Sequence, residues 1–399
     1  MELVINLGKE ISLEPRPEKF SDLIQNITWT ISNLVRFKPF SPLITSAQIM
    51  LLIDFFYVLY HIPNLDHEAR SNILWALSYI SESDDKNVDL ILESKFVPEI
   101  VEALPVLDGT LVSPALRIIG NILTGNEFQT QKLLDLHILS KFQPFLDHYK
   151  VNIRREVCWS ISNIAAGTLP QKDLLISSNI LWDMPTVFLK NTYKVQKEIV
   201  FVIANIFCPS EVVPGSNKFP NLINTILDSD LALCLYSFVE DNLVCDVDSY
   251  PKESASEFNQ RILSCCFTGI KDVCDLHLSQ GVASIWANQF LNAGAKQLPR
   301  IVSATFSSNF DVSTRSQYLL RSLFLLFLRC ERNLETALIS ATRRRVLNVE
   351  MSAIILSYIV PFGIPFGMIQ AELSRKLTQT LTNNRVATLS TDYDDKCKV

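Results

Sequence analysis

The octapeptide Val157-Cys158-Trp159-Ser160-Ile161-Ser162-Asn163-Ile164 is one of five related stretches in this 399-residue chain. A similar order of aliphatic, large, small and polar residues returns, with substitutions, at 27–34, 73–80, 115–122 and 199–206. The large residues at the third position of the five copies are separated by 46, 42, 42 and 42 positions, and they are Trp29, Trp75, Arg117, Trp159 and Phe201. A period near 42 residues is typical of solenoid repeats built from two or three helices. The chain is therefore predicted to be an all-α solenoid.

Helical geometry divides each stretch into two faces. In the last copy, Ile199, Ile203 and Ile206 have the i, i+4, i+7 spacing of a core stripe. Phe201 and Asn205 are one turn apart and lie roughly 160° around the helix from that stripe. A small residue lies between the two faces in every copy, which predicts close approach by a neighbouring helix. These small residues are Ser32, Ser78, Gly120, Ser162 and Ala204.

The repeated pair of ring and carboxamide indicates a binding surface. A tryptophan on a helix ordinarily packs in the core, but here an aliphatic stripe already supplies the core on the opposite side. In a solenoid, equivalent helices line one concave face. Carboxamides can donate to and accept from a peptide backbone at once, and indole faces attract the cations of Lys and Arg. The predicted ligand is an extended, lysine-rich peptide.

The stretches at 28–34, 75–79, 115–125 and 158–163 resemble, in this order, consecutive armadillo repeats of importin-alpha. The resemblance covers roughly residues 20–210 and includes an unusual succession, a Trp/Tyr repeat followed by an Arg/Asn repeat. It implies an armadillo-repeat, right-handed superhelical solenoid that binds basic nuclear localisation signals in a Trp/Asn groove and carries their proteins. It also implies no enzymatic activity, no cofactor, and a location in both cytoplasm and nucleus.

The resemblance assigns peptide binding mainly to a site like the smaller one of that family, formed by the third to fifth copies. Glu156 and Glu198 match family acids that pair with cargo lysine or arginine. Ordinary surface charge is the alternative for these two acids and equally for Glu127, Thr130 and Arg117. Glu127 and Thr130, in the loop after the third copy, match positions that line the pocket for the key lysine. Arg117 matches an arginine that orders nearby acids. The full predicted set is Trp29, Asn33, Arg36, Trp75, Tyr79, Glu82, Arg117, Asn121, Glu127, Thr130, Glu156, Trp159, Asn163, Glu198, Phe201 and Asn205.

Two departures from the family pattern weaken the predicted site. Phe201 replaces a tryptophan, which we expect to cost about 0.5–1 kcal/mol of cation attraction. Asn72 stands where the family usually has aspartate. The first copy lacks upstream neighbours, so binding at Trp29 is expected to be weak.

Other partners are limited by charge and by the extent of the resemblance. The chain has a formal charge of −6 and no basic stripe, so direct binding of nucleic acid is not predicted. Nothing before Phe20 matches the family's basic importin-beta-binding segment, and two repeats of its larger site have no counterpart, so ordinary importin-beta binding is not expected. The likeness fades beyond Asn205, where the family's export-receptor contacts fall. An armadillo interaction scaffold without transport activity is therefore the alternative.

Five regions are predicted along the chain. They are an N-terminal cap (1–20), armadillo repeats (21–210), degenerate armadillo-like repeats (211–345), an apolar segment (346–370) and a disordered polar tail (371–399). Within the apolar segment, 351–369 carry no charge and are long enough to cross a bilayer. Prolines and glycines interrupt this stretch, which favours a buried or irregular segment over a membrane span.

Cysteine usage and known motifs argue against metal or catalytic chemistry. The nine cysteines have no paired spacing, which indicates a reducing compartment. Cys274 and His277 are three positions apart, but two ligands fall short of a zinc site. Glycine-rich phosphate loops, nucleophile elbows and His-Glu-x-x-His are not found in the sequence.

Overall fold

The computed structural model describes residues 20–36, 44–82, 84–207, 230–242, 262, 264–275, 314–319 and 322–323. These residues form helices and turns, with no strand among them. The chain divides into two compact units, Met1–Ile226 and Leu227–Val399. The first unit contains α1 (Phe20–Arg36), α2 (Ser46–Tyr60), α3 (His67–Ser81), α4 (Asp85–Glu93), α5 (Phe96–Ala103), α6 (Val112–Leu123), α7 (Glu127–Asp135), α8 (Ile138–Phe142), α9 (Val151–Ala165), α10 (Leu169–Ser177), α11 (Met184–Leu189) and α12 (Tyr193–Phe207). Short 3-10 helices at Leu104–Val106, Gln143–Phe145 and Asn179–Asp183 complete the turns.

The five recurring stretches lie on α1, α3, α6, α9 and α12, and these inner helices stack on one another in chain order. α1 packs against α3, α3 against α6, α6 against α9, and α9 against α12. Shorter helices connect them, so that α4 with α5, α7 with α8, and α10 with α11 each precede an inner helix. The predicted all-α solenoid is confirmed, because each inner helix contacts the inner helix of the next repeat.

The predicted core stripe is buried in four of the five copies. In α12, Ile199, Ile203 and Ile206 are buried, and the matching positions of α3, α6 and α9 are buried as well. The prediction is wrong for α1, where Leu34 is exposed and Ile27 is half-buried. There the buried face is Ile24, Thr28, Ile31 and Val35. α1 turns this stripe towards α3, the helix against which it packs.

A second periodic feature, which we did not predict from the sequence, lies at the start of α7 and α10. Gln129 and Gln171 are 42 positions apart, both are buried, and each closes a capping box on the N-cap three residues before it. Their Nε2 atoms donate to the carbonyl oxygens of Asp85 (3.3 Å) and Glu127 (2.9 Å), at the start of the equivalent helix one repeat earlier. These side-chain amides therefore join successive repeats.

The second unit contains α13 (Leu233–Asn242) and helical residues at 264–275 and 314–319. Cys266, which we predicted on a helix, lies in the helical residues at 264–275. Its Sγ contacts the carbonyl oxygen of Leu235 at 3.2 Å. Burial raises the pKa of Cys266 and Cys274 well above the usual range of a thiol, and both are free. They are packing residues rather than nucleophiles.

Several predicted regions lie outside the described residues, including the cap before Phe20, the apolar segment at 346–370 and the tail at 371–399. Among the helices that are described, none has the length and apolar character needed to cross a bilayer.

Candidate functional site

The ring positions of the inner helices reach the surface, as predicted. Trp29 is 56% exposed, and the other four members of the row are half-buried. Because the inner helices stack in order, these side chains form a row with one member per repeat. We call this row and its carboxamides the ring-and-amide face, which consists of Trp29, Asn33, Trp75, Tyr79, Arg117, Asn121, Trp159, Asn163, Phe201 and Asn205.

The carboxamides also hold the repeats together. Asn121 Nδ2 donates to the carbonyl oxygen of Ser78 at 2.9 Å, and Asn205 Nδ2 donates to that of Ser162 at 3.0 Å. Both bonds span 43 positions and link one inner helix to the previous one. Asn163 Nδ2 is buried and has no hydrogen-bond partner among the described residues. Asn121 Nδ2 also donates to Ser81 Oγ at 3.0 Å, so both of its N–H groups are used within the protein, whereas the bond of Asn205 uses one of two. The acceptor oxygens of both carboxamides are left for a ligand.

The amide of the first copy makes a different bond. Asn33 Nδ2 donates to the carbonyl oxygen of Trp29 on its own helix, at 2.9 Å. In the second copy a tyrosine replaces the amide, and the rings of Trp75 and Tyr79 stack with centroids 6.0 Å apart. Arg36 is exposed at the end of α1, and Glu82 is exposed at the C-cap of α3.

Two arginines hold the carboxylate of Glu156. Arg117 Nη2 lies 2.7 Å from Glu156 Oε1, and Arg155 Nη2 lies 2.5 Å from the same oxygen. The other oxygen, Oε2, is buried without a hydrogen-bond partner among the described residues. Glu156 is only 6% exposed, so ordinary surface charge, the alternative reading of this residue, is wrong.

The ring of Trp159 is fixed by two residues of α6. The Arg117 guanidinium lies 5.5 Å from the centre of the ring, which occupies one indole face with a protein cation. A Cβ atom added to Gly120 would lie 2.3 Å from Trp159 Cζ3. The ring therefore fills the space that the missing side chain leaves, which confirms the close helix approach predicted from the small residues.

Glu198 is the acid beside Phe201, and it is less firmly held than Glu156. It is 7% exposed, and its Oε1 lies 3.4 Å from Lys197 Nζ. Burial raises the pKa of Glu198, and the neighbouring Lys197 lowers it in part. Arg155 lowers this pKa as well, but burial has the larger effect, so a further positive charge would stabilise the ionised carboxylate.

The predicted loop position of Glu127 and Thr130 is wrong. Both lie on α7, of which Glu127 is the first residue, because Asn126 caps that helix. Glu127 is exposed, whereas Thr130 is buried. Of this pair, only Glu127 is open to a ligand.

Comparisons with known proteins agree with the stacked repeats. No family model matches the chain. The chain is 34% identical over 160 residues to importin subunit alpha-1a of Oryza sativa subsp. japonica, which covers 40% of this chain and 30% of the rice protein. It is 32% identical over 164 residues to importin subunit alpha-3 of Arabidopsis thaliana, covering 40% and 29%. These repeats are similar in sequence to those of the importin-alpha relatives. The matches span less than a third of the length of either importin-alpha relative.

Solved structures show the armadillo fold. A designed armadillo repeat protein superposes with a TM-score of 0.52 at 21% identity, covering 69% of this chain and 98% of the designed one. An engineered protein gives a TM-score of 0.54 at 16% identity, covering 98% of this chain and 91% of the engineered one.

Within the described residues, no group of three or more His, Cys, Asp or Glu side chains is placed to hold a metal ion.

Proposed function

We propose that this chain is an importin-alpha-like nuclear import adaptor that binds basic nuclear localisation signals on the ring-and-amide face. The observation that carries the proposal is the stacking of α3, α6, α9 and α12 with a large side chain at the surface of each. A row with one member per repeat suits an extended peptide, which presents side chains at regular intervals. Importin-alpha relatives support the same ligand class.

The strongest part of the proposed site lies between Trp159 and Phe201. One face of Trp159 is covered by Arg117, so a ligand lysine enters on the side towards α12. There its methylene stem packs between the two rings, and its ammonium group approaches Glu198. A lysine at this point adds a positive charge to those of Lys197 and Arg155, which lowers the pKa of the Glu198 carboxyl further.

The peptide backbone is held by the carboxamide oxygens. The bonds from Asn121 and Asn205 to the preceding helix fix the orientation of both side chains before a ligand arrives. A fixed acceptor loses little conformational entropy when a peptide N–H donates to it. Asn163 Nδ2 is buried without a hydrogen-bond partner among the described residues, and a turn of this side chain towards the peptide would supply a donor as well.

Titration of a fluorescent basic peptide tests the proposal. We expect saturable binding that weakens as salt is added, because its charge contacts are screened. The double variant Trp159→Ala, Asn163→Ala should lose at least about tenfold in affinity, which corresponds to about 1.4 kcal/mol. Trp182→Ala is the matched control, because Trp182 is an exposed tryptophan outside the ring-and-amide face. Equal binding by the double variant would exclude this face as the site.

A second candidate function is an armadillo scaffold that has lost nuclear transport. Glu156 favours it, because two arginines already neutralise the acid that would otherwise attract a cargo cation. Under this alternative the ring-and-amide face binds a partner that is not basic. The scaffold function would be favoured if no basic peptide binds in the titration although wild type and variants are equally folded.

Location and carrier partners belong to the same proposal. An import adaptor is present in both cytoplasm and nucleus. A fluorescently tagged chain should be found in both compartments. Purified importin-beta mixed with this chain tests for a carrier contact.

A further inference from the structure

The residue three positions before each ring of the ring-and-amide face changes its chemistry along the face. Such a residue lies one helical turn from the ring, on the same side of the helix. On α9 and α12 it is an acid, whereas on the other three inner helices it is uncharged. In chain order the five residues are Asn26, Asn72, Pro114, Glu156 and Glu198. The face is therefore not uniform in what it offers a ligand.

The space between Trp29 of α1 and Trp75 of α3, which we call the first slot, is equivalent to the space between the rings of α9 and α12, which we call the last slot. α1 packs against α3 as α9 packs against α12, so Asn72 takes the place of Glu198. Both walls of the first slot are indoles, on which the methylene stem of a ligand side chain can pack. The first slot thus presents a carboxamide where the last slot presents a carboxylate.

The helix surfaces that form the first slot are uncharged. Residues 23–35 of α1 and 71–81 of α3 include no Asp, Glu, Lys, Arg or His. A ligand lysine in this slot would have no carboxylate within one helical turn of either ring. In the last slot, by contrast, Glu198 and its neighbour Lys197 both lie within one turn of Phe201.

Charged residues flank the first slot only at the ends of the two helices. Glu68 and Glu82 are exposed, and each is seven positions from the ring of α3, which is about 10 Å along the helix axis. Glu68 Oε2 already accepts a hydrogen bond from Gln25 Nε2 at 2.5 Å. The exposed Arg36 stands seven positions after the ring of α1, as Glu82 does after the ring of α3. These charges of opposite sign do not make the slot selective for a cation.

Asn72 has an unused hydrogen-bond donor. Its Nδ2 is buried without a hydrogen-bond partner among the described residues, although the side chain as a whole is only half-buried. A buried donor without a partner is costly, so a ligand acceptor that meets it gains affinity. A turn of this side chain towards the slot would bring Nδ2 to the ligand. Lysine offers donors only, whereas glutamine offers a carbonyl oxygen for Nδ2 and methylene groups for the indoles.

We propose that the first slot binds a glutamine of the same extended peptide whose lysine occupies the last slot. The inference rests on the proposed function for the binding of that peptide, and it adds an uncharged position to the recognised sequence. Three inner-helix steps separate the two slots, and packed helices lie about 8–10 Å apart. An extended chain rises about 3.3 Å per residue, so the glutamine and the lysine are about seven to nine residues apart.

Titration of three labelled peptides into the full chain at about 0.15 M salt tests the inference. Each peptide has two central lysines and, about seven to nine positions away on both sides, three residues that are all glutamine, all lysine or all methionine. Both sides are filled so that either direction of the peptide is covered. Wild type should bind the glutamine peptide at least about threefold more tightly than the other two, because only glutamine pairs with Asn72 Nδ2. Asn72→Asp should reverse the order of the glutamine and lysine peptides, which changes the ratio of their Kd values at least about tenfold.

Three control variants separate the first slot from other effects of charge. Asn64→Asp adds the same charge in the exposed loop between α2 and α3, and it should leave the ratio unchanged. Glu198→Gln should weaken all three peptides by a similar factor, because it acts on the central lysines. Trp29→Ala should abolish the preference for glutamine by removing one wall. Because Trp29 is exposed, that variant remains a valid test if Asn72→Asp fails to fold.

The double variant Trp159→Ala, Asn163→Ala distinguishes failure of this inference from failure of the proposed function. If it binds the peptides as tightly as wild type does, the proposed function fails and the inference is overturned with it. If it loses affinity but wild type binds the glutamine and lysine peptides equally, the inference alone is overturned. The same holds if Asn72→Asp leaves the ratio of the two Kd values unchanged.

Discussion

Gly120 is the position at which a single methyl group most directly tests the packing of the ring row. In Gly120→Ala, the added Cβ would lie 2.3 Å from Trp159 Cζ3 and 2.8 Å from Cε3, whereas ordinary contact begins at 3.4 Å. The indole ring must therefore retreat by roughly 1 Å, or the two helices must separate. Overpacking of this kind costs about 1–3 kcal/mol. We expect the free energy of unfolding to fall by that amount.

The displaced ring should also change ligand binding. Arg117 lies 5.5 Å from the centre of the Trp159 ring, and a shift of the ring alters this contact. Since the proposed lysine slot uses the opposite face of the same ring, the affinity for a basic peptide should fall by up to about tenfold, or 1.4 kcal/mol. The substitution thus acts on the site without replacing a residue that contacts the peptide.

Urea unfolding and tryptophan fluorescence measure the two effects. The chain has five tryptophans, so the spectrum of Trp159 is obtained as the difference from a Trp159→Phe variant. Ser162→Ala is the control, because Ser162 occupies the equivalent position of α9 and already has a Cβ atom. It should cost less than about 1.5 kcal/mol, the net value of one hydrogen bond. Wild-type stability and fluorescence in Gly120→Ala would refute the packing of Trp159 on Gly120.

Three further substitutions test other contacts. Arg117→Ala should cost about 1–3 kcal/mol in urea unfolding, because it removes a partner of the buried Glu156, and Arg117→Lys should recover only part of the loss. Gln129→Leu should cost a similar 1–3 kcal/mol, because it leaves the carbonyl oxygen of Asp85 without its inter-repeat donor; hydrogen exchange of α7 measures the loss, and unchanged protection would contradict the role of the glutamine. In the second unit, burial raises the pKa of Asp272 from 3.8 to about 6. The folded state therefore binds more protons at Asp272 than the unfolded state between these values, so the contribution of this group to stability is largest below pH 4 and is lost as pH rises through 6. Asp272→Asn should remove this pH dependence, as read from exchange rates of residues 264–275.

The stacking of the inner helices could be predicted because the same short sequence pattern recurs in each repeat. The fixed spacing of a ring, a small residue and an amide determines which helix face is exposed and which residue packs against the next inner helix. Trp159 of α9, for example, packs on Gly120 of α6. The first copy has the same pattern, but its buried face differs. Burial of Ile24 and Val35 depends on how α1 meets α3, which the octapeptide alone does not specify.

Other contacts of the site depend on groups that only the fold brings together. The bond from Asn121 to Ser78 requires a carbonyl oxygen that lies 43 positions earlier. Burial of Glu156 depends on Arg117 from another helix, so sequence alone left its environment open. The roles of Gln129 and Gln171 were not predicted, because both residues lie outside the recurring stretch. The glycine four positions before each glutamine was a signal that could have identified them. A Cβ at Gly125 would lie 1.8 Å from Gln129 Oε1.

A crystal structure of this chain with a bound basic peptide tests the central claim most directly. We predict an extended peptide along the ring-and-amide face, with a lysine stem between Trp159 and Phe201 and its ammonium group within about 4 Å of Glu198. Peptide N–H groups should donate to the carboxamide oxygens of Asn121 and Asn205. A peptide bound elsewhere on the chain, with the rings of α9 and α12 untouched, would contradict the claim.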